Sequence, residues 1–415
     1  MSSHSGVGVA SGVGVASGVG VGGPLAAFAS GFVEDLIARG YRPGTAADQL
    51  RLMADVSRWL GERGLGAGDL TVSVTEWFAA ERRAAGRARF VSPRALIPLL
   101  GYLRGLGVAP VPVPAVPATP SETLIERYSQ YLLERRGLAP STVRNYVGVA
   151  RVFLADRERV RGGLALAELD GAAVSEFVLR ESRRSSVGSA KCMVTRLRVV
   201  LRFLHVEGEV ERDLAGAVPS VASWRLASLV KALDAGSVRR LLAGCDRRTR
   251  VGRRDFAVLT VLSRLGLRAG EVAALRLSDI DWRAGEVLIR GKGSRLERLP
   301  LPADVGEALA GWLARGRPRC ESVFVFTRVR APHGGLSAGA VSQIVRRACQ
   351  RAGLPMVCAH RLRHTAATEM LRAGGSLTEV GQVLRHRGRD VTSIYAKVDR
   401  LALAAVVQPW PGVAA

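Results

Sequence analysis

Four short stretches toward the C-terminus carry residue types suited to phosphate chemistry. "LGLRAGEVAALRLSDID" places Arg268 and Glu271 three apart, "GKG" puts Lys292 in a turn, "AHRLRHT" places His360 and Arg363 three apart, and "LRHRGRDVTSIYAKV" holds His386 with Tyr395 nine residues on. A phosphodiester repels nucleophiles through its own charge, so a site that attacks one must set cations at the nonbridging oxygens where charge builds. Arg268 and Arg363 suit that task, because a guanidinium fork bonds two oxygens at once, and His386 can add a hydrogen bond. A free tyrosine has a pKa of about 10 and is only about 0.1% ionised at neutral pH. Tyr395 as a nucleophile therefore needs help: nearby arginines to lower its pKa, and His360 to take its proton. Each residue also has a plain structural reading alone, as a solvated ion pair, a solubility lysine or a half-buried core tyrosine. Their order and spacing together outweigh it.

These side chains need elements to hold them. Spacing of three puts Arg268 with Glu271, and His360 with Arg363, on single helical faces. "GEVLIRGKGSRLERLPLP" reads as two short strands around a Gly-Lys-Gly turn, a β-hairpin with Lys292 at its tip. Helices are predicted over 235–245 and 252–265 before it, and the chain after it returns to helix. The domain that holds these residues, 233–398, is mixed but mainly α, and 399–415 is a C-terminal tail.

Upstream, "SGVGVASGVGVASGVGVGG" repeats every six residues without a side chain large enough for a core, so 1–23 is predicted to be disordered. "APVPVPAVPATPS" predicts an extended proline-rich linker over 109–120. Between these, 24–108 reads as helices, with Leu50, Met53, Val56 and Leu60 at helical spacing. A second helical block spans 121–211, followed by a connector over 212–232 in which Pro219 breaks helix. Both helical blocks share a helix, a Gly-x-x-Pro turn with Thr two residues after the Pro, a helix ending in an aromatic-Leu pair, and a Leu-rich closing helix. That shared order predicts a diverged tandem duplication.

The chain has 415 residues, 60 Lys and Arg against 36 Asp and Glu, a net charge of +24 and 48% hydrophobic residues. Its length predicts several domains, and its charge points to an anionic polymer, nucleic acid, as partner. Five cysteines without C-x-x-C spacing argue against a disulfide framework or a zinc site. With no apolar run of membrane-spanning length and no signal-peptide pattern, a cytoplasmic, nucleoid-associated protein is expected.

In order, spacing and element type, R-x-x-E, a hairpin Lys, H-x-x-R and a His nine residues before Tyr resemble the tyrosine recombinase (phage integrase) family over roughly 233–400. "GLAPSTVRNYVGVARVFL" and "LRVVLRFLHVEGEV" make 121–210 similar to that family's helical core-binding domain. The resemblance implies a mainly α protein with an α+β catalytic domain, acting as a site-specific DNA recombinase through a covalent 3′-phosphotyrosine at Tyr395. It also implies that Arg268, His360, Arg363 and His386 serve the phosphate, that Lys292 protonates the leaving 5′ oxygen, and that Glu271 orients Arg268. It implies no cofactor, metal or ATP; duplex recombination sites as substrate; and self-association to a tetramer on them. An integration, excision or transposition role in a mobile element is the expected setting. Alternatives of the same fold are a DNA-binding regulator without catalysis and a type IB topoisomerase-like enzyme. In the core-binding block, Arg144, Lys191, Arg196 and Arg198 are expected to face DNA. Residues 24–108 are expected to form an additional DNA-contact or protomer-contact module, the basic stretch "ERRAAGRARFVSPR" favouring DNA. One departure stands out: Arg385 occupies the position before His386 where the family usually has Gly.

Overall fold

Proline and small polar residues set where the helices begin. In the first block α1 spans Ala29–Ala38, α2 Pro43–Gly61, α3 Val72–Ala84 and α4 Ile97–Gly105. Pro43 opens α2 at a position whose N–H needs no partner, and the Thr71 hydroxyl accepts from Val74 N–H to cap α3. The computed structural model describes residues 19–112, 119–222, 232–291 and 295–385, with Thr392 and Tyr395. The expectations for 1–18, most of the proline linker, 223–231 of the connector, Lys292, His386 and the tail 399–415 lie outside the described residues. Two compact units divide the chain: one is built from described residues between 113 and 227, the other from those before and after.

The 113–227 unit holds α5 (Pro120–Gln130), α6 (Pro140–Arg161), α7 (Gly171–Arg183) and α8 (Val187–Val206). It repeats the first block's order, with a proline-initiated second helix and a short 3-10 turn between second and third helices, at Ala67–Asp69 and Leu166–Glu168. The packing repeats as well. Trp59 of α2 meets Phe78 of α3 edge-on at 5.4 Å and 75°, and Phe153 of α6 meets Phe177 of α7 at 5.1 Å and 78°. Phe32 and Tyr102 join α1 to α4 at 5.5 Å and 41°; Tyr128 and Phe203 join α5 to α8 at 4.9 Å and 49°. Leu50, Met53, Val56 and Leu60 are all buried, as their spacing predicts.

The third block begins with α9 (Ala235–Ala243), α10 (Arg250–Arg264) and α11 (Ala269–Ala274), close to the predicted helix bounds. A small antiparallel sheet follows, β1 (Ile280–Asp281), β2 (Glu286–Arg290) and β3 (Leu296–Pro300), with Glu286 opposite Pro300 and Arg290 opposite Leu296. The predicted hairpin is there, with β1 as a third strand the sequence pattern did not show. Val287, Ile289 and Leu299 point into the core while alternate residues face out. Helices α12 (Ala303–Arg315), α13 (Ala338–Arg351), α14 (Ala359–Arg372) and α15 (Leu377–Val383) complete it. Its core gathers α10, the sheet, α12 and α13 around fully buried Trp312, whose indole N–H donates to the Val325 carbonyl at 2.9 Å. The fold is therefore mainly α with one small antiparallel sheet.

Candidate active site

α10 ends in a turn that only glycine fits. Gly266 has φ +59, and a Cβ there would lie 2.5 Å from a Leu384 methyl, so the end of α10 and the end of α15 touch through its bare backbone. Two residues later Arg268 begins α11. Its N–H donates to Glu271 Oε2 at 2.8 Å and its Nη1 to Oε1 at 2.6 Å. Glu271 thus caps the helix and holds the guanidinium. The same carboxylate accepts from Arg385 Nη2 at 2.7 Å. Burial alone would raise the Glu271 carboxyl, but the Arg385 and Arg268 cations and the Arg268 N–H outweigh it and hold it below the usual range.

Helix α14 brings His360, Arg363 and His364 to the same place. Arg363, 1% exposed, lies between the two glycine-linked ends: Nη1 donates to the Gly266 carbonyl at 2.7 Å and Nη2 to that of Leu384. Burial, with Arg268 nearby, lowers the Arg363 pKa to about 10. His360 packs edge-on against His364 at 4.5 Å between ring centroids. Its pKa is lowered by partial burial and by the Arg363 and Arg268 cations.

Tyr395 is 1% exposed, among Ala367, Leu371, Val380 and Leu384. Two expectations change here. The imidazole at its hydroxyl is that of His364, with Nδ1 2.8 Å from the phenol oxygen, while His360 stands behind His364. Burial, then His360, Arg361 and Arg363, depresses His364 to about 4, so its ring is neutral at pH 7. The phenol, in turn, is raised and not lowered: burial dominates, and the pull of Arg363 and Arg268 only offsets part of it. Tyr395 is thus a protonated, hydrogen-bonded and covered phenol in this state. Sequence reasoning missed His364 because the H-x-x-R spacing singles out His360; position i+4 on the same helix was the available signal.

The predicted cluster is otherwise assembled, with Arg268, Glu271, His360, Arg363 and Tyr395 drawn from three elements. Lys292 and His386 lie outside the described residues; the flanking Gly291 N–H donates to the Arg295 carbonyl at 2.8 Å. In the 113–227 unit, Arg144, Lys191 and Arg196 make no ion pair or side-chain hydrogen bond among the described residues. Arg198 does not stand open in the same way: it donates to the Val218 carbonyl at 3.0 Å and the Ser220 hydroxyl at 3.2 Å. From residue 232 on, the chain holds 31 of its 60 Lys and Arg but only 15 of its 36 Asp and Glu, so the positive charge concentrates in the block with this site. Among the described residues no cluster of three or more His, Cys, Asp or Glu could hold a metal ion, and no helix is long and apolar enough to cross a membrane.

Arginines that share one carboxylate, and a covered tyrosine bonded to an imidazole, stand together in a mixed domain with a small sheet. Residues 231–401 match the phage integrase family model. A Sinorhizobium fredii protein named as an integrase/recombinase, y4rA, is 41% identical over 94% of this chain and 96% of its own length. Tyrosine recombinase XerD of Mycobacterium tuberculosis is 33% identical over 69% of this chain and 96% of its own. Two solved structures share the fold: a lambda integrase dimer bound to a core site, with TM-score 0.53, 17% identity, and 70% and 99% of the two chains covered; and XerH bound to its difH substrate after cleavage, with TM-score 0.54, 20% identity, and 68% and 84% covered. The chain belongs to the phage integrase family of tyrosine recombinases, and its activity is site-specific recombination.

Proposed function

We propose that this recombinase cuts and rejoins DNA strands through a covalent 3′-phosphotyrosine at Tyr395, without metal or nucleotide. The observation that carries the reading is the meeting of the Tyr395 hydroxyl with a neutral imidazole beside a site where Arg268 and Arg385 share one carboxylate, Glu271, and Arg363 lies buried on backbone carbonyls. An excess of cations in a partly dry site is strained until an anion arrives, and a scissile phosphate supplies one. Arg268 and Arg363 then do what divalent metals do elsewhere, neutralising charge on the nonbridging oxygens.

The phenol gives its proton to the His364 to His360 pair as its oxygen bonds to phosphorus. The bond to the 5′ oxygen breaks, and that oxygen takes a proton from Lys292. A DNA 5′ hydroxyl reverses these steps on the phosphotyrosine, so the energy of the broken ester is kept and no ATP is consumed. Because Tyr395 is covered in the free protein, DNA binding has to release it, which guards against stray cleavage. Arg144, Lys191 and Arg196 supply phosphate contacts in the core-binding unit. Duplex recombination sites and a tetramer on paired sites complete the assembly, in keeping with a structural neighbour solved as a tetramer on a Holliday junction. The setting we assign is integration or excision of a mobile element.

The test uses duplexes covering the DNA that flanks the gene, incubated with the protein in chelator and without nucleotide. Strand exchange under those conditions is expected. An absolute requirement for Mg²⁺ or ATP would overturn the mechanism.

A further inference from the structure

Arg385 sits where its backbone should disfavour it. Its φ is +58, a left-handed conformation in which the Cβ of any L residue is crowded and glycine alone is free of penalty. It follows the end of α15, its N–H donating to the Gln382 carbonyl at 2.9 Å, in the helix-closing position that glycine commonly takes. A long cation kept there, and only 9% exposed, implies an interaction strong enough to hold it.

That interaction reaches the reactive centre from two sides. The Arg385 side chain donates from Nη2 to Glu271 Oε2 and from Nη1 to the Val383 carbonyl at 3.0 Å, while its buried Nε has no partner among the described residues. The carbonyl of Leu384, one residue earlier, accepts from Arg363. A single turn therefore fixes Arg363 through its backbone, and Arg268 through Glu271. With Arg385 on Oε2, Oε1 serves Arg268 Nη1, and Arg268 Nε and Nη2 have no partner among the described residues. They are the atoms left to meet a phosphate oxygen.

We propose that Arg385 is a positioning residue for the DNA phosphate: it anchors Glu271 and the 384–385 turn, and so sets the spacing of the Arg268 and Arg363 guanidiniums. The proposal rests on the recombinase reading above. It predicts a defect in the chemical step and not in DNA affinity, because Arg385 acts through its neighbours.

The experiment compares parent, Arg385→Gly and Arg385→Lys on a nicked duplex that traps the covalent complex, recording the cleavage rate at saturating DNA, the Kd and the thermal midpoint. Glycine suits the backbone and offsets part of the lost ion pair, and Glu271 keeps Arg268, so Arg385→Gly should fold with a midpoint within a few degrees of the parent. Its cleavage rate should fall about tenfold to hundredfold, the range for displaced supporting groups, with Kd within about twofold. Arg385→Lys, which keeps a cation opposite Glu271, should recover part of the rate. Parent-level cleavage by Arg385→Gly would overturn the proposal. So would equal loss of rate and midpoint in both variants, which would make the residue merely structural. If Arg385→Gly alone fails to fold, Arg385→Lys decides: slower cleavage at unchanged Kd supports the proposal, and an unchanged rate overturns it. A parent that forms no covalent complex would instead bring down the recombinase reading, and this inference with it.

Discussion

Arginine does opposite work in the first helical block and in the active site. In the first block Arg82 pairs with Asp55 at 2.7 Å, Arg51 and Arg89 both pair with Asp48, at 2.7 and 2.9 Å, and Arg63 pairs with Glu81 at 2.7 Å. Arg83 is bound to the Val91 carbonyl at 2.7 Å. Around Glu271, Arg268 and Arg385 share one carboxylate, and the more deeply buried Arg363 is held by backbone carbonyls with no carboxylate partner among the described residues. Matched charges neutralise a surface and add little to stability; unmatched buried ones make a place for an anion. In the basic stretch "ERRAAGRARFVSPR", which suggests a DNA contact in the sequence, Arg82 and Arg89 are neutralised by aspartates of their own block. The core-binding unit keeps Arg144, Lys191 and Arg196 open. Phosphate contact by that unit and protomer contact by the first block are the proposals that the salt dependence below tests.

The largest effect expected from this contrast is at Arg363. Arg363→Ala should slow covalent-complex formation about 10²- to 10³-fold, or about 2.7–4 kcal/mol, the effect of removing one oxyanion-stabilising donor. A rate near the parent's would mean the unmatched arginine does not meet the phosphate. Next comes Gly266→Ala, which sets a Cβ against Leu384 at positive φ and should cost about 1–3 kcal/mol in urea unfolding; an unchanged midpoint would show that the two helix ends are not locked together. Salt dependence separates the blocks. Replacing Arg144, Lys191 and Arg196 by Ala should flatten the slope of log K against log salt by about 0.9 for each phosphate no longer neutralised, while removing residues 1–112 should leave the slope and weaken cooperative assembly on paired sites. The reverse result would return DNA binding to the first block.

The smallest effect is a pH signature of the imidazole at the covered tyrosine. An unfolded histidine gains its proton near pH 6.5, but His364 in the folded chain does so only near 4. The unfolded state therefore binds more protons between these values. The stability this gives is complete above about 6.5 and drains away as pH falls toward 4. His364→Gln should flatten the thermal midpoint over that window, and an unchanged profile would place the titrating group elsewhere.

Much of this was legible in the sequence. Proline at the start of α2 and α6, apolar spacing within helices and alternation in β2 and β3 gave the elements, since each is a local property of the chain. The order of the two helical blocks suggested a duplication; the matched aromatic pairs, Trp59 with Phe78 and Phe153 with Phe177, support it at the level of packing. What stayed hidden depends on burial. Proximity of Tyr395 to arginines could be inferred from spacing, but the depth that raises its pKa could not. Arg385 was visible as a departure, yet its hold on Glu271, 114 residues away in the chain, arises only in the folded structure.

The central claim is that Tyr395 is the nucleophile, one of six tyrosines in the chain. It is tested most directly by trapping the protein on a nicked duplex, digesting the denatured complex and locating the nucleotide-bearing peptide by mass spectrometry, with Tyr395→Phe alongside. The account predicts a 3′-phosphate joined to Tyr395 in the parent, and DNA binding without any denaturant-stable complex in Tyr395→Phe. A complex retained by Tyr395→Phe, or DNA found on another of the tyrosines, would contradict it.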